Sequence, residues 1–199
     1  MKVKGPRDGS DGSAHGQLDG FWEGAQRVRV PFVNGSTPRN LKAGTRVLLS
    51  GVVYTARDAA HKRIVLALDR GEELPFRLEG QVIYYAGPCP PAPGQVIGSL
   101  GPTTSGRMDS YAPRLCEAGL KGMIGKGKRS RAVVQAIARY GAVYFVTIGG
   151  AGALLSQAVR KAEVVAYSDL GPEAVHRLEI ADFPAIVGVD AHGRDMYDR

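Results

Sequence analysis

Arginine and lysine on glycine-rich loops suit the binding of carboxylates and phosphates. The guanidinium offers a planar fork, the ammonium a point charge, and glycine lets the backbone come close. Two such loops carry a cation here, Gly101-Pro102-Thr103-Thr104-Ser105-Gly106-Arg107-Met108-Asp109 and Gly125-Lys126-Gly127, and the glycine-free stretch Ala56-Arg57-Asp58-Ala59-Ala60-His61 lies upstream of both. Arg107 and Lys126 are candidate ligand-binding cations, and Thr103 and Thr104 add hydroxyls. Each also has a plainer reading. Arg57 and Asp58 suit a local ion pair, His61 a hydrogen-bonded histidine, and Thr103-Thr104 turn and capping chemistry. Gly149-Gly150-Ala151-Gly152 fits either another anion loop or a tight strand-to-helix turn that needs small residues. Neither it nor Gly125-Lys126-Gly127-Lys128 has nucleotide-binding spacing.

Cys89 and Cys116 are the only cysteines, far apart and without a metal-site partner pattern, so the chain is expected to hold neither a disulfide framework nor a metal of its own. Cys116, beside Leu115 in an expected helix, reads as a small buried hydrophobe. Cys89 lies between Pro88 and Pro90 and reads as unassigned. The formal charge of +7 admits nucleic acid or a small anion as partner. The basic run Lys121, Lys126, Lys128, Arg129 and Arg131 lacks the interleaved aromatics of a base-stacking surface, which leaves solvated charge or an anion site. No apolar run is long enough to cross a bilayer and the first residues are not signal-like, so a soluble, cytoplasmic protein is expected.

These groups need a scaffold. Residues 1–20, glycine-rich and poor in large aliphatics, read as a disordered tail, and residues 21–199 as one domain. From Val28 to Gly87 the pattern predicts strands with little helix: Val28–Val30, Arg46–Tyr54, Ile64–Leu68 and Val82–Tyr85. After Pro93 it changes to strand, glycine loop, helix. Strands are expected at Gln95–Leu100, Gly122–Ile124 and Ala142–Ile148. Helices are expected from an Asp109 or Ser110 cap to Ala118, from Ser130 to Gly141, and from Gly149 to about Arg160. Glu163–Tyr167, a short helical piece near Pro172 and a hairpin of Ala185–Val189 with Asp195–Tyr197 complete the chain. The expected class is α/β, a β-rich N-terminal half followed by strand–loop–helix units. In such folds ligands collect at the carboxyl ends of the strands, where these loops lie.

The nine-residue Gly101–Asp109 motif, with Ala56–His61 before it, Tyr85-Ala86-Gly87-Pro88 between and Gly125-Lys126-Gly127 after, resembles the β-type half of the iron–sulfur-dependent class I fumarase and L-tartrate dehydratase family. The similarity runs from about Val28 through Asp182-Phe183-Pro184-Ala185 and Val189-Asp190-Ala191-His192-Gly193. The resemblance implies a swivelling β/β/α domain. It also implies substrate binding by Arg57, Thr104, Arg107 and Lys126, with Thr103 at the reacting carbon as candidate general base. Asp58 and His61 match the same motif and would complete or orient the site. The family's [4Fe-4S] cluster has three cysteine ligands, so the resemblance implies a companion α subunit that carries it, and a hetero-oligomer with the active site at the interface. Hydration of fumarate to (S)-malate is the expected reaction. L-tartrate dehydration is the near alternative, and a stand-alone anion- or nucleic-acid-binding module the alternative of another class.

Overall fold

The computed structural model describes residues 20–33, 38–147 and 151–198. The expected tail before Gly20 lies outside them, as do Gly149 and Gly150. In chain order the elements are β1 (Gln26–Val30), β2 (Arg46–Thr55), α1 (Asp58–Arg70), β3 (Val82–Tyr84), α2 (Ala112–Glu117), β4 (Gly122–Gly125), α3 (Arg131–Tyr140), β5 (Val143–Val146), α4 (Gly152–Gln157), β6 (Val159–Ala166) and β7 (Val175–Val189). Short 3-10 turns cover Pro38–Asn40, Ser105–Met108 and Ser168–Glu173.

All seven strands share one sheet, β1 to β5 running parallel in that spatial order. The long β7 runs antiparallel and pairs β6, β2 and β5 along its length: Val175–Ile180 against β6, Arg177–Ile186 against β2 and Ile186–Val189 against β5. Because β7 joins β5 back to β2, strands β2, β3, β4, β5 and β7 form a closed ring of pairings. The alternation of side chains along each strand then separates two cores. Val47, Leu49, Val53, Tyr84, Ile124, Phe145, Leu178, Phe183 and Val187 pack together on one side of the strands. Ile83, Tyr85, Met123 and Tyr144 face the other way, under Ile64 of α1, Leu115 of α2 and Val133 and Ile137 of α3. Strands covered on both faces read as unbroken apolar runs, which is why β3 to β5 show no polar alternation. The protein is mixed α/β with a sheet-rich core.

Several expected elements differ. Ile64–Leu68 is no strand but the middle of α1, so the N-terminal half holds a full helix. The helical period decides: Ala60, His61, Ile64 and Ala67 are buried at three- and four-residue spacing while Leu66 is 44% exposed. Gly71 in the left-handed conformation ends the helix, its N–H shared between the Ala67 and Leu68 carbonyls. Gln95–Leu100 is a loop, not a strand. Ile97 and Leu100 are buried anchors, and the backbone bonds run to Cys89 and Gly152 rather than along a ladder. The helix expected from Asp109 starts later, at Ala112, with Pro113 in its first turn as anticipated. The Asp109 carboxylate is engaged elsewhere, accepting the Ser130 N–H at 2.7 Å at the start of α3. α4 stops at Gln157 and Arg160 belongs to β6. The terminal hairpin shrinks to a Val189–Asp195 bridge, because Ala185–Val189 is the end of the fifteen-residue β7. Among the described residues no helix is long and apolar enough to cross a membrane.

Candidate functional site

The loops leaving the carboxyl ends of β2, β3 and β4 meet through direct contacts. Arg57 is the extended residue between β2 and α1. Its side chain runs past Gly87, where a Cβ would lie 3.2 Å from Arg57 Cδ and 2.7 Å from the Pro172 carbonyl, so this close approach requires glycine. Arg57 Nη2 lies 3.3 Å from Glu173 Oε1, and the other oxygen of that carboxylate accepts the Ala59 N–H at 3.2 Å. Glu173 therefore satisfies a free amide in the first turn of α1 and holds the arginine with one group. Asp58 Oδ1 accepts from Arg107 Nε at 2.9 Å. Both terminal nitrogens of the Arg107 fork are left without a partner among the described residues, and the side chain is half exposed.

The Thr103–Arg107 loop is anchored by its backbone. The Thr103 N–H donates to the Tyr85 carbonyl at 2.6 Å just beyond β3, and the Ser105 N–H to the Lys126 carbonyl at 2.9 Å just beyond β4. Thr104 forms a parallel bridge with Lys126. Ser105 Oγ is 2.9 Å from the Tyr144 hydroxyl, which donates to the Gly127 carbonyl at 2.8 Å. Since that proton is committed to Gly127, Ser105 is the donor to Tyr144. Gly125 has no room for a side chain: a Cβ there would sit 2.0 Å from Ser105 Oγ. Lys126, half-buried as a residue, makes no ion pair among the described residues.

His61 sits behind this face, fully buried, with Nδ1 2.8 Å from the Arg57 carbonyl and its ring against Tyr85. Burial lowers its pKa to about 4, against the raising effect of the bond to Arg57, so the ring is neutral and Nδ1–H donates to that carbonyl. Arg57 Nε, Asp58 Oδ2 and His61 Nε2 are buried polar atoms without a partner, three of the five such side-chain atoms among the described residues. Native interiors rarely leave such groups unpaired, so three of them side by side point to a functional role or to a water or ion that pairs them.

Arg57, Asp58, Thr103, Thr104, Arg107 and Lys126 are thus joined at one end of the sheet, and His61 supports them from the core side. Glu173, Ser105 and Tyr144 carry no assignment in the sequence reading. Glu173 carries no motif and reaches the site only because the Ser168–Glu173 turn packs on α1. The basic run does not form one surface. Lys121 Nζ donates to the Tyr140 carbonyl, Lys128 pairs with Asp198, and Arg129 is buried between the rings of Tyr85 and Tyr144. Of the cysteines, Cys89 is exposed and Cys116 is buried in α2, its thiol pushed up by burial to about 11. Among the described residues no group of three or more His, Cys, Asp or Glu converges as a metal shell.

Comparison with known proteins bears on what the arrangement is for. Residues 21–199 match the family model described as the fumarase C-terminus. The aerobic class I fumarate hydratase of Salmonella typhimurium is 43% identical over 157 residues, covering 78% of this chain and 27% of that enzyme. Fumarate hydratase 2 of Leishmania major is 42% identical over 158 residues, 78% of this chain and 28% of that protein. The chain thus spans little more than a quarter of these relatives. A putative L(+)-tartrate dehydratase subunit beta of Methanocaldococcus jannaschii is 39% identical over 166 residues, with 80% of this chain and 85% of that subunit covered. The matched region takes in every strand and loop that builds the site, and the chain belongs to the fumarase C-terminus family.

Proposed function

We propose that this chain is the β subunit of an iron–sulfur hydro-lyase that reversibly hydrates fumarate to (S)-malate at an interface with a companion α subunit. The observation that carries the reading is the set of three cations, Arg57, Arg107 and Lys126, fixed around the Thr103 loop at the carboxyl ends of parallel strands. The Methanocaldococcus relative, a putative tartrate dehydratase subunit beta, is covered over 85% of its length, which supports a division of the enzyme between two chains.

The chemistry follows from the groups present. Hydration adds hydroxide to one alkene carbon and a proton to its neighbour, and charge accumulates on the carboxylate attached to that neighbour as an aci-carboxylate. Cations held in place before reaction favour that charge over the ground state. The free fork of Arg107, with Nε committed to Asp58, is suited to two parallel bonds with a carboxylate. Arg57 and Lys126 add charge for the second carboxylate. Thr103 Oγ is assigned the proton at the neighbouring carbon, giving it in hydration and taking it in dehydration; the same cations favour its alkoxide. Asp58 orients Arg107, and neutral His61 orients Arg57 through its carbonyl. A Lewis acid for the hydroxyl would come from a [4Fe-4S] cluster on the α subunit, since the cysteines here do not form a cluster set. The β/β/α domain of residues 21–199 would swivel against that subunit within a cytoplasmic hetero-oligomer.

L-tartrate dehydration to oxaloacetate is a second reading, because a tartrate carries the same two carboxylates and a relative bears that description. A nucleic-acid-binding module is disfavoured by the dispersal of the basic run into buried and paired positions. Anaerobic reconstitution with the α subunit and assay against malate, tartrate and mesaconate separates the readings. Arg107→Ala in that complex is expected to lower kcat/KM by roughly 10²-fold or more, the loss of a charge-assisted pair worth about 3 kcal/mol, with folding intact. Activity surviving that change would displace the carboxylate site from Arg107.

A further inference from the structure

Arg129 lies outside every motif assigned above, yet its side chain is fully buried and the groups around it belong to both site loops. Its guanidinium carbon is 4.8 Å from the Tyr144 ring centre and 5.3 Å from that of Tyr85, so the cation is held between two aromatic faces. Nε donates to Asp109 Oδ1 at 2.8 Å, Nη2 to the Tyr85 hydroxyl at 3.4 Å, and Nη1 approaches Met123 Sδ at 3.6 Å. Each partner leads to the site. Tyr85 offers the carbonyl that anchors Thr103, and Tyr144 ties Ser105 to Gly127, next to Lys126. Asp109 ends the turn that carries Arg107 and joins it to the start of α3 through the Ser130 N–H.

A permanently charged side chain buried with a single carboxylate is expensive to desolvate, and replacing such a pair by apolar residues is often neutral or stabilising. Stability alone is therefore a poor account of it. A rigid planar fork between two rings does something an apolar filler cannot: it holds three neighbours in fixed directions. We propose that Arg129, with Asp109 and Tyr144, is the positioning clamp that sets the Thr103–Arg107 loop against the Lys126 loop, and so fixes the proton-transferring hydroxyl relative to the carboxylate cradle. The clamp touches no substrate and acts through Thr103, Arg107 and Lys126. The catalytic half of this inference rests on the hydro-lyase reading; the positioning half does not.

The test uses the full chain, in complex with its α subunit for kinetics and by itself for amide exchange. Arg129→Lys keeps the charge and loses the fork; Tyr144→Phe removes one hydroxyl and guards against a lysine variant that fails to fold. In the complex, Arg129→Lys is expected to lower kcat by about 10²-fold, the effect of an ångström-scale misplacement, with KM within about threefold of wild type. Tyr144→Phe is expected to lower kcat less, in the same sense. In the chain alone, either variant should speed exchange of the Thr103 and Ser105 amides by about fivefold or more, while β5 amides keep their protection. Unchanged amide exchange overturns the clamp whatever the kinetics. Faster exchange with kcat retained, or a KM rise in place of a kcat loss, overturns its catalytic role. Wild-type complex inert toward every dicarboxylate, with the exchange result as expected, would fault the hydro-lyase reading and leave the clamp standing.

Discussion

His61 makes the stability of this chain depend on pH in a calculable way. Burial holds its folded pKa near 4 while the exposed value is 6.5, so the fold prefers the neutral ring. A depressed histidine contributes stability that is fully present above 6.5 and is lost as pH falls from there toward 4. Between pH 7 and pH 5 the linkage relation gives a loss of roughly 2 kcal/mol. With a urea m-value of about 2 kcal/mol/M, the denaturation midpoint should fall by about 1 M over that interval. His176, also lowered by its half-burial, adds a slope of its own, so the comparison must be with a variant. His61→Asn keeps a donor for the Arg57 carbonyl and cannot titrate. It should be less stable than wild type at pH 7 but lose about 2 kcal/mol less on going to pH 5. The lowered carboxylates Asp169, Glu179 and Asp190 titrate below this window and cancel in the difference. Parallel pH dependence in the two proteins would refute the claim that His61 is buried neutral behind Arg57.

Gly125→Ala would drive a methyl into Ser105 Oγ and against the Tyr85 ring, and should cost about 2 kcal/mol, read as a melting temperature lower by about 4–8 °C. Glu173→Gln removes the charge that holds Arg57 while keeping an acceptor for the Ala59 N–H; about 1 kcal/mol of lost orientation predicts a KM for dicarboxylate about fivefold higher, measured by steady-state kinetics in the complex. Phe145→Ala opens a cavity inside the strand ring and should cost about 3–5 kcal/mol by urea denaturation. Retention on immobilised RNA should be weak, because Lys121 and Lys128 are engaged and Arg129 is buried; strong, salt-sensitive retention would restore the nucleic-acid reading.

The meeting of the cation-bearing loops was more legible than the scaffold beneath them. Thr103, Arg107 and Lys126 sit in local glycine-rich loops that the carboxyl-end rule sets at one end of a sheet, whereas Arg57, in a stretch without glycine, joined them only through the family resemblance. What local patterns lack is long-range pairing. Ile64–Leu68 carries the β-branched residues of a strand, yet its fate was decided by which face of α1 meets Ile83 and Tyr85. The closure of the ring depends on β7 lying along both β2 and β5, a register contained in no short window. Glu173 and Arg129 escaped for a related reason. An ordinary acid and an ordinary member of a basic run become special only through neighbours supplied by distant strands, Arg57 in one case and Tyr85 and Tyr144 in the other.

We propose that this chain supplies a cationic cradle that works only with a cluster-bearing partner. The most direct test mixes the chain anaerobically with the proposed α subunit and follows loss of the fumarate double bond. The account predicts no turnover by the chain alone, turnover by the mixture, and loss of it when the chain carries Arg107→Ala. Full activity of the chain alone, or a mixture indifferent to Arg107, would contradict it.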